Sequence, residues 1–577
     1  MVAFGVYRLT KTLAWVLGLA GCGGAPRATD APSIRLPRLA ELPIPGDPAF
    51  VEVARDVLAT VIAIDPSVAA SAGLFDDATG VASFAPAALA MRTAHLDRDL
   101  AALRALPWRT WPVDEQIDFR WIFATAETAR RQLVDEQMFV HRPAAWLESL
   151  SNQLIAFASY APEDHARPPR VWAQVPALVA EMRTVATGIT TRDRDTARDM
   201  VNALVAMAKA DGSSAAVAAI PALARYADEL AALHPEREFV VVGAANYAWR
   251  LAHAELVEQT PAELLASAEA ELVRVTAERA ALGPLPPPRE ATAVQRTRAT
   301  ELSRDRLLAM YDQIEADLRA ATVAAGFVTI PAAVGPIHAR ETPDAMVALT
   351  GDGGSMNPPP PYIARNVGAW NVEHFHAGWD AKTRLEKVTR AEGWTTNGMG
   401  PYAAHEGFPG HHLQLSIARL NPDPIRRILV DGMQNEGWGL YAEEELYRHG
   451  GLGDAPATKD AILRSYQFRI ARVVYDVHIE TGAWTLQQGA DFQQQTPAGQ
   501  AKVNEDVLRA IQWPTQLVHY FTGKQQILAL RAAYQRKLGA AYTDRAFHDA
   551  FLAEGSIPVP LIRAKLLGTP VPAIDPP

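Results

Sequence analysis

The sequence predicts a mainly α-helical protein: a large helical chain carrying a small β patch. Long Ala/Leu/Arg/Glu segments repeat apolar residues at intervals of three and four, as in Leu100 to Leu106 and Ala218 to Leu230, which is the period of one helix face. Pro and Gly punctuate these segments. Only between about Phe327 and Pro401 does the pattern change to short runs, Val328-Thr-Ile and Ala369-Trp-Asn-Val, among Gly and Pro clusters, as short strands and long loops require. At 577 residues, with 49% hydrophobic and 21% charged side chains, the chain is globular and too long for one ordinary core.

Taken in order, residues 1–21 have the form of a secretory signal. Arg8 and Lys11 precede an apolar run from Leu13 to Leu19, and small residues follow in Leu19-Ala20-Gly21-Cys22. The run falls well short of the ~20 apolar residues that span a bilayer. Cys22 is the single cysteine, so no internal disulfide exists. The order Leu, small, Gly, Cys resembles the lipobox of bacterial lipoproteins, which implies cleavage before Cys22 and lipidation of its sulfur. Two or three acyl chains anchor stably where one does not. Gly23 stands where an Asp would favour retention at the inner membrane. The expected location is therefore the bacterial cell envelope, lipid-anchored at the periplasmic face of the outer membrane.

Residues 22–45, rich in Pro, Ala and Gly, are expected to form a tether. Residues 46–330 form an N-terminal helical body. Within it, Thr260 and Pro261 make an N-cap and first helical position for a helix ending at Gly283. A second long helix is expected over Gln295 to Ala325. Residues 331–577 form the C-terminal half, with further helices over Pro456 to Thr481 and Thr515 to Lys537. His374 and His376 alternate as a strand would, which reads as a solvated strand or as a second metal pair. Trp370-Asn371-Val372 offers an edge strand that could pair with an extended substrate. A formal net charge of −10 and the absence of a basic stripe argue against a nucleic-acid partner.

The chemistry concentrates in His405-Glu406-Gly407-Phe408-Pro409-Gly410-His411-His412-Leu413-Gln414. A His-Glu pair with a second His one turn on is how zinc hydrolases build a site. Here the fourth residue after His405 is Pro409, and His411 lies six residues on. In a regular helix six residues advance about 9 Å and turn the side chain away. Pro409 and Gly410 permit a distorted turn in which the extra residues loop out, so that His405 and His411 face one point. His412 is the alternative ligand if the bulge takes another shape. A third ligand is sought in Asn435-Glu436-Gly437-Trp438-Gly439, 25 residues after His411. Glu436 is favoured, in a helix running from it to about His449, and Glu443 is kept for a supporting ion pair.

These residues resemble the His-Glu-x-x-Pro-Gly-His-x-x-Gln signature of the bacterial family catalogued as domain of unknown function 885, grouped with the gluzincin-type zinc peptidases. Glu436-Gly437-Trp438 with Tyr441 and Glu443 is similar to its second motif. Pro514 to Leu517, Tyr520, Gly523 and Leu528 to Arg531 resemble its third, and Phe547-His548-Asp549 with Gly555 to Pro558 its last. The resemblance implies one zinc ion on His405, His411 and Glu436, Glu406 as general base, and a site role for Tyr520. His412, Gln414, Trp438, Glu443, Asp476 and Glu480 are candidates for supporting the ligands or touching substrate, and Phe408 and Tyr402 for shaping the cleft. Glu480 stands where the family commonly has His, with His478 two residues away. The expected activity is metal-dependent cleavage of a peptide or small amide. The alternatives are an amidase or esterase on a non-peptide substrate, and an inactive zinc-containing binding protein of the envelope.

Overall fold

A computed structural model describes residues 37–160, 167–287, 289–343, 347, 352–496 and 503–575. The signal segment, Cys22 and most of the expected tether lie outside these residues. Leu39, Leu42 and Ile44, within the span expected as tether, are buried in the core.

Helices dominate, and their termini follow local chemistry. Asp47 caps Pro48–Ile64 by accepting from the backbone of Ala49 and Phe50, and Thr190 and Ser213 do the same for Thr191–Asp211 and Ser214–Ala232. The N-terminal body packs these with Pro86–Ala105, Val113–Val134 and Pro143–Tyr160. Aromatic pairs fill the gaps: Phe84 stacks on Phe139 at 3.9 Å and Trp108 on Phe119 at 4.9 Å. One apolar core contains Phe119 and Trp172 from the N-terminal half and Trp438 and Phe551 from the C-terminal half. Arg426 ties the halves together. It is buried and donates to Asp118 at 2.6 Å and to Glu554 at 2.7 Å, so its charge is paired on both sides.

The helices that position the site are numbered here in chain order. Helix α1 (Pro261–Ala280) begins as the sequence predicts, with a reciprocal capping box between Thr260 and Glu263. The single helix expected over Gln295 to Ala325 is two: Ala293–Thr300 and α2 (Arg304–Ala325). The break arises because Leu302 tucks into the core and the Ser303 side chain accepts from the Arg306 N–H, starting a new helix. Then come β1 (Ile337–Glu341), β2 (Ser355–Asn357), β3 (Gly368–Val372), α3 (Met399–Glu406), α4 (His411–Ala418), α5 (Gly432–Arg448), α6 (Pro456–Glu480), α7 (His519–Leu538) and α8 (Asp544–Ala553).

The sheet corrects two expectations. Its order is β1-β3-β2, with β1 parallel and β2 antiparallel to β3. Trp370-Asn371-Val372 therefore lies in the central strand, both of whose edges are occupied, and cannot add a substrate strand. Val328-Thr-Ile is not a strand. Helix α8 holds this stretch instead: Asp549 accepts from the Thr329 N–H at 2.8 Å, and His548 bonds the carbonyl of the preceding Phe327 at 2.7 Å. His374 lies beyond β3 with Nδ1 2.8 Å from Asp352. Among the described residues, no set of metal-binding geometry includes His374 or His376.

Candidate metal centre

Helix α3 ends at Glu406, and α4 starts at His411. Between them the Gly410 N–H donates to the carbonyl of Ala404 at 2.9 Å. That bond spans six residues where a helix spans four, so two residues loop out and the ladder resumes. His411 thereby occupies the place that the fourth residue after His405 would hold in a continuous helix. Glycine is required at the pinch, since a Cβ on Gly410 would come within 2.0 Å of the His405 carbonyl. A Cβ on Gly407 would strike the Glu315 carboxylate of α2. The loop is held from outside by Trp438, whose indole N–H donates to the Pro409 carbonyl at 2.9 Å.

The consequence is a cluster of three side chains. His405 Nε2 lies 3.6 Å and His411 Nε2 3.4 Å from Glu436 Oε2. The two imidazoles meet edge-on, centroids 4.5 Å apart. Four ligands at ~2.0–2.2 Å in tetrahedral array sit about 3.4 Å from one another, so this spacing fits one zinc ion. His405 and His411 are buried, while 19% of the Glu436 side chain stays accessible, leaving a way in. Glu436 enters from the first turns of α5, which Asp431 caps, so that helix begins a turn earlier than expected. One turn on, Gly439 makes the room: a Cβ there would lie 2.8 Å from Cε1 of both histidines. Its neighbour Gly437 faces Gly523 of α7 rather than α3.

The charges are those of a buried, acid-rich site. Burial pushes His405 down to about 4, and the neighbouring His411 adds to this, keeping the ring neutral as a ligand must be. Burial would raise the Glu436 carboxyl, but the two histidines outweigh it and hold it well below the usual range. Glu406 beside them is pushed up to about 7 by burial, opposed by His411 and Arg469 and reinforced by Glu436. Burial also lifts Glu443 to about 7, against Arg469 and Lys524, and raises Glu315 well above its ordinary value.

The other expected residues divide. The Tyr520 ring lies roughly parallel to His405 with centroids 6.5 Å apart, and its hydroxyl is 3.4 Å from Arg509. Glu443 is buried within reach of the Arg469 charge. His412 turns away from the cluster, with Nε2 3.0 Å from the Gly335 carbonyl and the ring against Gly368 of β3. Gln414 donates to Gln434, which also accepts from Ser556 at 3.0 Å, tying α4 to α5 and the C-terminal turn. Trp438 and Phe408 are both buried: Trp438 braces the loop from outside, and Phe408, within the loop, packs against His412 and Arg319. Tyr402 packs on Trp370 of β3. Asp476 accepts from the Tyr247 hydroxyl at 2.6 Å, and Glu480 from the Val242 N–H at 3.0 Å. The departure at Glu480 thus falls on the wall against residues 242–247, not on the His405–His411–Glu436 cluster. His478 stacks on Trp484.

Sequence reasoning missed Glu315 and Arg469 as parts of the site, while the glycines beside Glu436 were read as allowing close approach to the first helix, which Gly439 does. Gly439 was visible as a costly glycine inside a helix. Arg469 begins a polar stripe at 469, 472, 476 and 480 on α6. Glu315 left no signal.

Two solved structures share the fold. A candidate lipoprotein of unknown function from Shewanella oneidensis superposes with a TM-score of 0.69 at 19% identity, over 90% of this chain and 99% of that one. A candidate lipoprotein from Colwellia psychrerythraea does so with 0.66 at 16% identity, over the same shares. No curated protein matches the chain. Residues 144–566 match the model of the bacterial proteins of unknown function termed DUF885. The chain belongs to that family.

Proposed function

We propose that the protein is a zinc-dependent hydrolase of the peptidase type, lipid-anchored in the bacterial envelope. The observation that carries the hydrolase reading is the convergence of His405, His411 and Glu436 with Glu406 buried next to them. A structural site needs ligands only; an adjacent carboxylate outside the ligand set is what hydrolysis adds. Zinc held by these three side chains would supply a Lewis acid that polarises a scissile carbonyl and acidifies water. Glu406 accepts the proton of the attacking water and passes it to the leaving amine. Tyr520, beside His405, is assigned as the hydroxyl donor to the developing oxyanion. The relation to gluzincin peptidases and the preference for peptides over other amides or esters belong to this proposal.

Metal analysis of the purified full chain, joined to cleavage of a peptide library with and without chelator, tests it. Glu406→Gln should keep its zinc while turnover falls by roughly 10²–10⁴. A variant that cleaves as fast as wild type would sink the assigned mechanism, and zinc-loaded wild type that cleaves nothing would sink the enzyme. The anchor rests on Leu19-Ala20-Gly21-Cys22, and the candidate lipoproteins of the same fold support it. No described helix is long and apolar enough to cross a membrane. Cys22→Ser should abolish acyl labelling and membrane retention; retention at the wild-type level would overturn this part.

A further inference from the structure

Arg469 stands apart from the cations around it. Arg472, one turn further along α6, donates to Asp506 at 3.1 Å. Arg509 donates to Gln516 at 2.7 Å, and Lys524 is paired with Glu444 at 2.5 Å. Among the described residues, Arg469 makes no hydrogen bond and has no carboxylate within ion-pair distance, and its Nε is fully buried without a partner. What it does touch is aromatic: its guanidinium carbon lies 5.6 Å from the centre of the Tyr520 ring and 6.0 Å from that of Phe468. Tyr520 in turn lies alongside His405. The charge of Arg469 is felt at His405, Glu406 and Glu443, so it sits in the same acid-rich site.

Arg469 is partly buried, and a guanidinium whose Nε is drawn out of water gains from an anion that offsets the desolvation. Among the described residues the protein supplies no such anion within ion-pair distance, although the buried carboxyls of Glu406 and Glu443 feel its charge. We propose that Arg469 is a substrate-binding subsite that holds a carboxylate of the substrate next to the scissile bond. The planar fork of arginine suits a carboxylate bidentately. On the hydrolase reading, on which this inference rests, the carboxylate is either the C-terminus of a peptide or an acidic side chain beside the cleaved bond.

The test uses the zinc-loaded full chain and three peptides of one sequence: free C-terminal acid, C-terminal amide, and the amide carrying one Glu. Both cleavage and calorimetric binding to the Glu406→Gln protein are measured. Wild type should favour a carboxylate-bearing peptide over the plain amide by about 10- to 100-fold in KM, the usual worth of a charge-assisted pair. Preference for the first peptide names the C-terminus, and preference for the third names an acidic side chain. Arg469→Gln should erase the discrimination, and Arg469→Lys should restore part of it, which also shows that the site still folds. Equal handling of all three peptides by wild type overturns the proposal. So does discrimination that survives Arg469→Gln, or a loss in kcat alone shared by all peptides, which would make Arg469 an oxyanion contact. If nothing is cleaved but the acid still binds better than the amide through Arg469, the subsite stands while the hydrolase fails. If no peptide binds, the subsite is wrong.

Discussion

Helix α5 carries histidine–carboxylate clusters at both ends, and they have nearly the same spacing. At its start, Glu436 meets His405 and His411 at 3.6 and 3.4 Å. At its end, His449 lies 3.7 Å from Glu445 and 3.3 Å from Asp544. Spacing alone would make both of them metal sites. The difference lies in what else reaches the carboxylates. Arg531 donates to Glu445 at 2.8 Å and to Asp544 at 2.6 Å, Arg448 adds a contact to Glu445 at 3.1 Å, and Tyr542 donates to Asp544 at 2.7 Å. Two guanidinium groups neutralise the outer pair of acids before any metal arrives. At the inner cluster, among the described residues, the cationic partners within ion-pair distance of Glu436 are the two imidazoles alone. A dication gains most where carboxylate charge is left uncompensated.

The largest effect should be on metal content. On the proposed zinc reading, elemental analysis should find zinc in the wild type and in His449→Ala but not in His405→Ala or His411→Ala. Loss of metal in the His449 variant alone would invert the comparison. His412→Ala should also keep its zinc, because that ring faces Gly335.

Next comes the space between the rings. Gly439→Ala would place a methyl 2.8 Å from both histidines, and overpacking of this kind costs about 1–3 kcal/mol. Zinc titration and thermal unfolding should show weakened binding with a lowered melting temperature. Zinc affinity equal to wild type would mean that the rings can move apart freely.

A smaller effect is expected from the brace on the loop. Trp438→Phe removes the bond to the Pro409 carbonyl and should cost about 0.5–1.5 kcal/mol by denaturant unfolding, plus a packing loss. No change in stability would show that the loop holds its shape without that bond.

The smallest belongs to the outer cluster. Burial would raise the Asp544 carboxyl, but Tyr542 and Arg531 outweigh it and hold it below its usual value. Its contribution is therefore present above the ordinary Asp value of about 3.9 and is lost as pH falls through the lowered one. Asp544→Asn should cost no more than about 1 kcal/mol near pH 7, given its partial exposure, with the difference shrinking as pH drops below 4. A pH-independent difference would assign the loss to packing.

Much of this protein was legible in one dimension. Helical period, caps such as Thr260 with Glu263, and the change of pattern after Phe327 are local properties, set by neighbours a few residues apart. The convergence of His405, His411 and Glu436 was legible too, because Pro409 and Gly410 permit a distorted turn in which six residues do the work of four. The break at Leu302 was not, since it depends on which core receives that side chain. Nor was the central place of β3, because strand neighbours come from distant segments. Residue types and spacing determined which side chains could bind a metal. Tertiary structure decided that His411 rather than His412 faces Glu436, that Gly439 makes room for both rings, and that Glu445, His449 and Asp544 are already answered by arginine. Those outcomes depend on what packs or pairs across the fold, and burial and charge compensation are set only when distant segments meet.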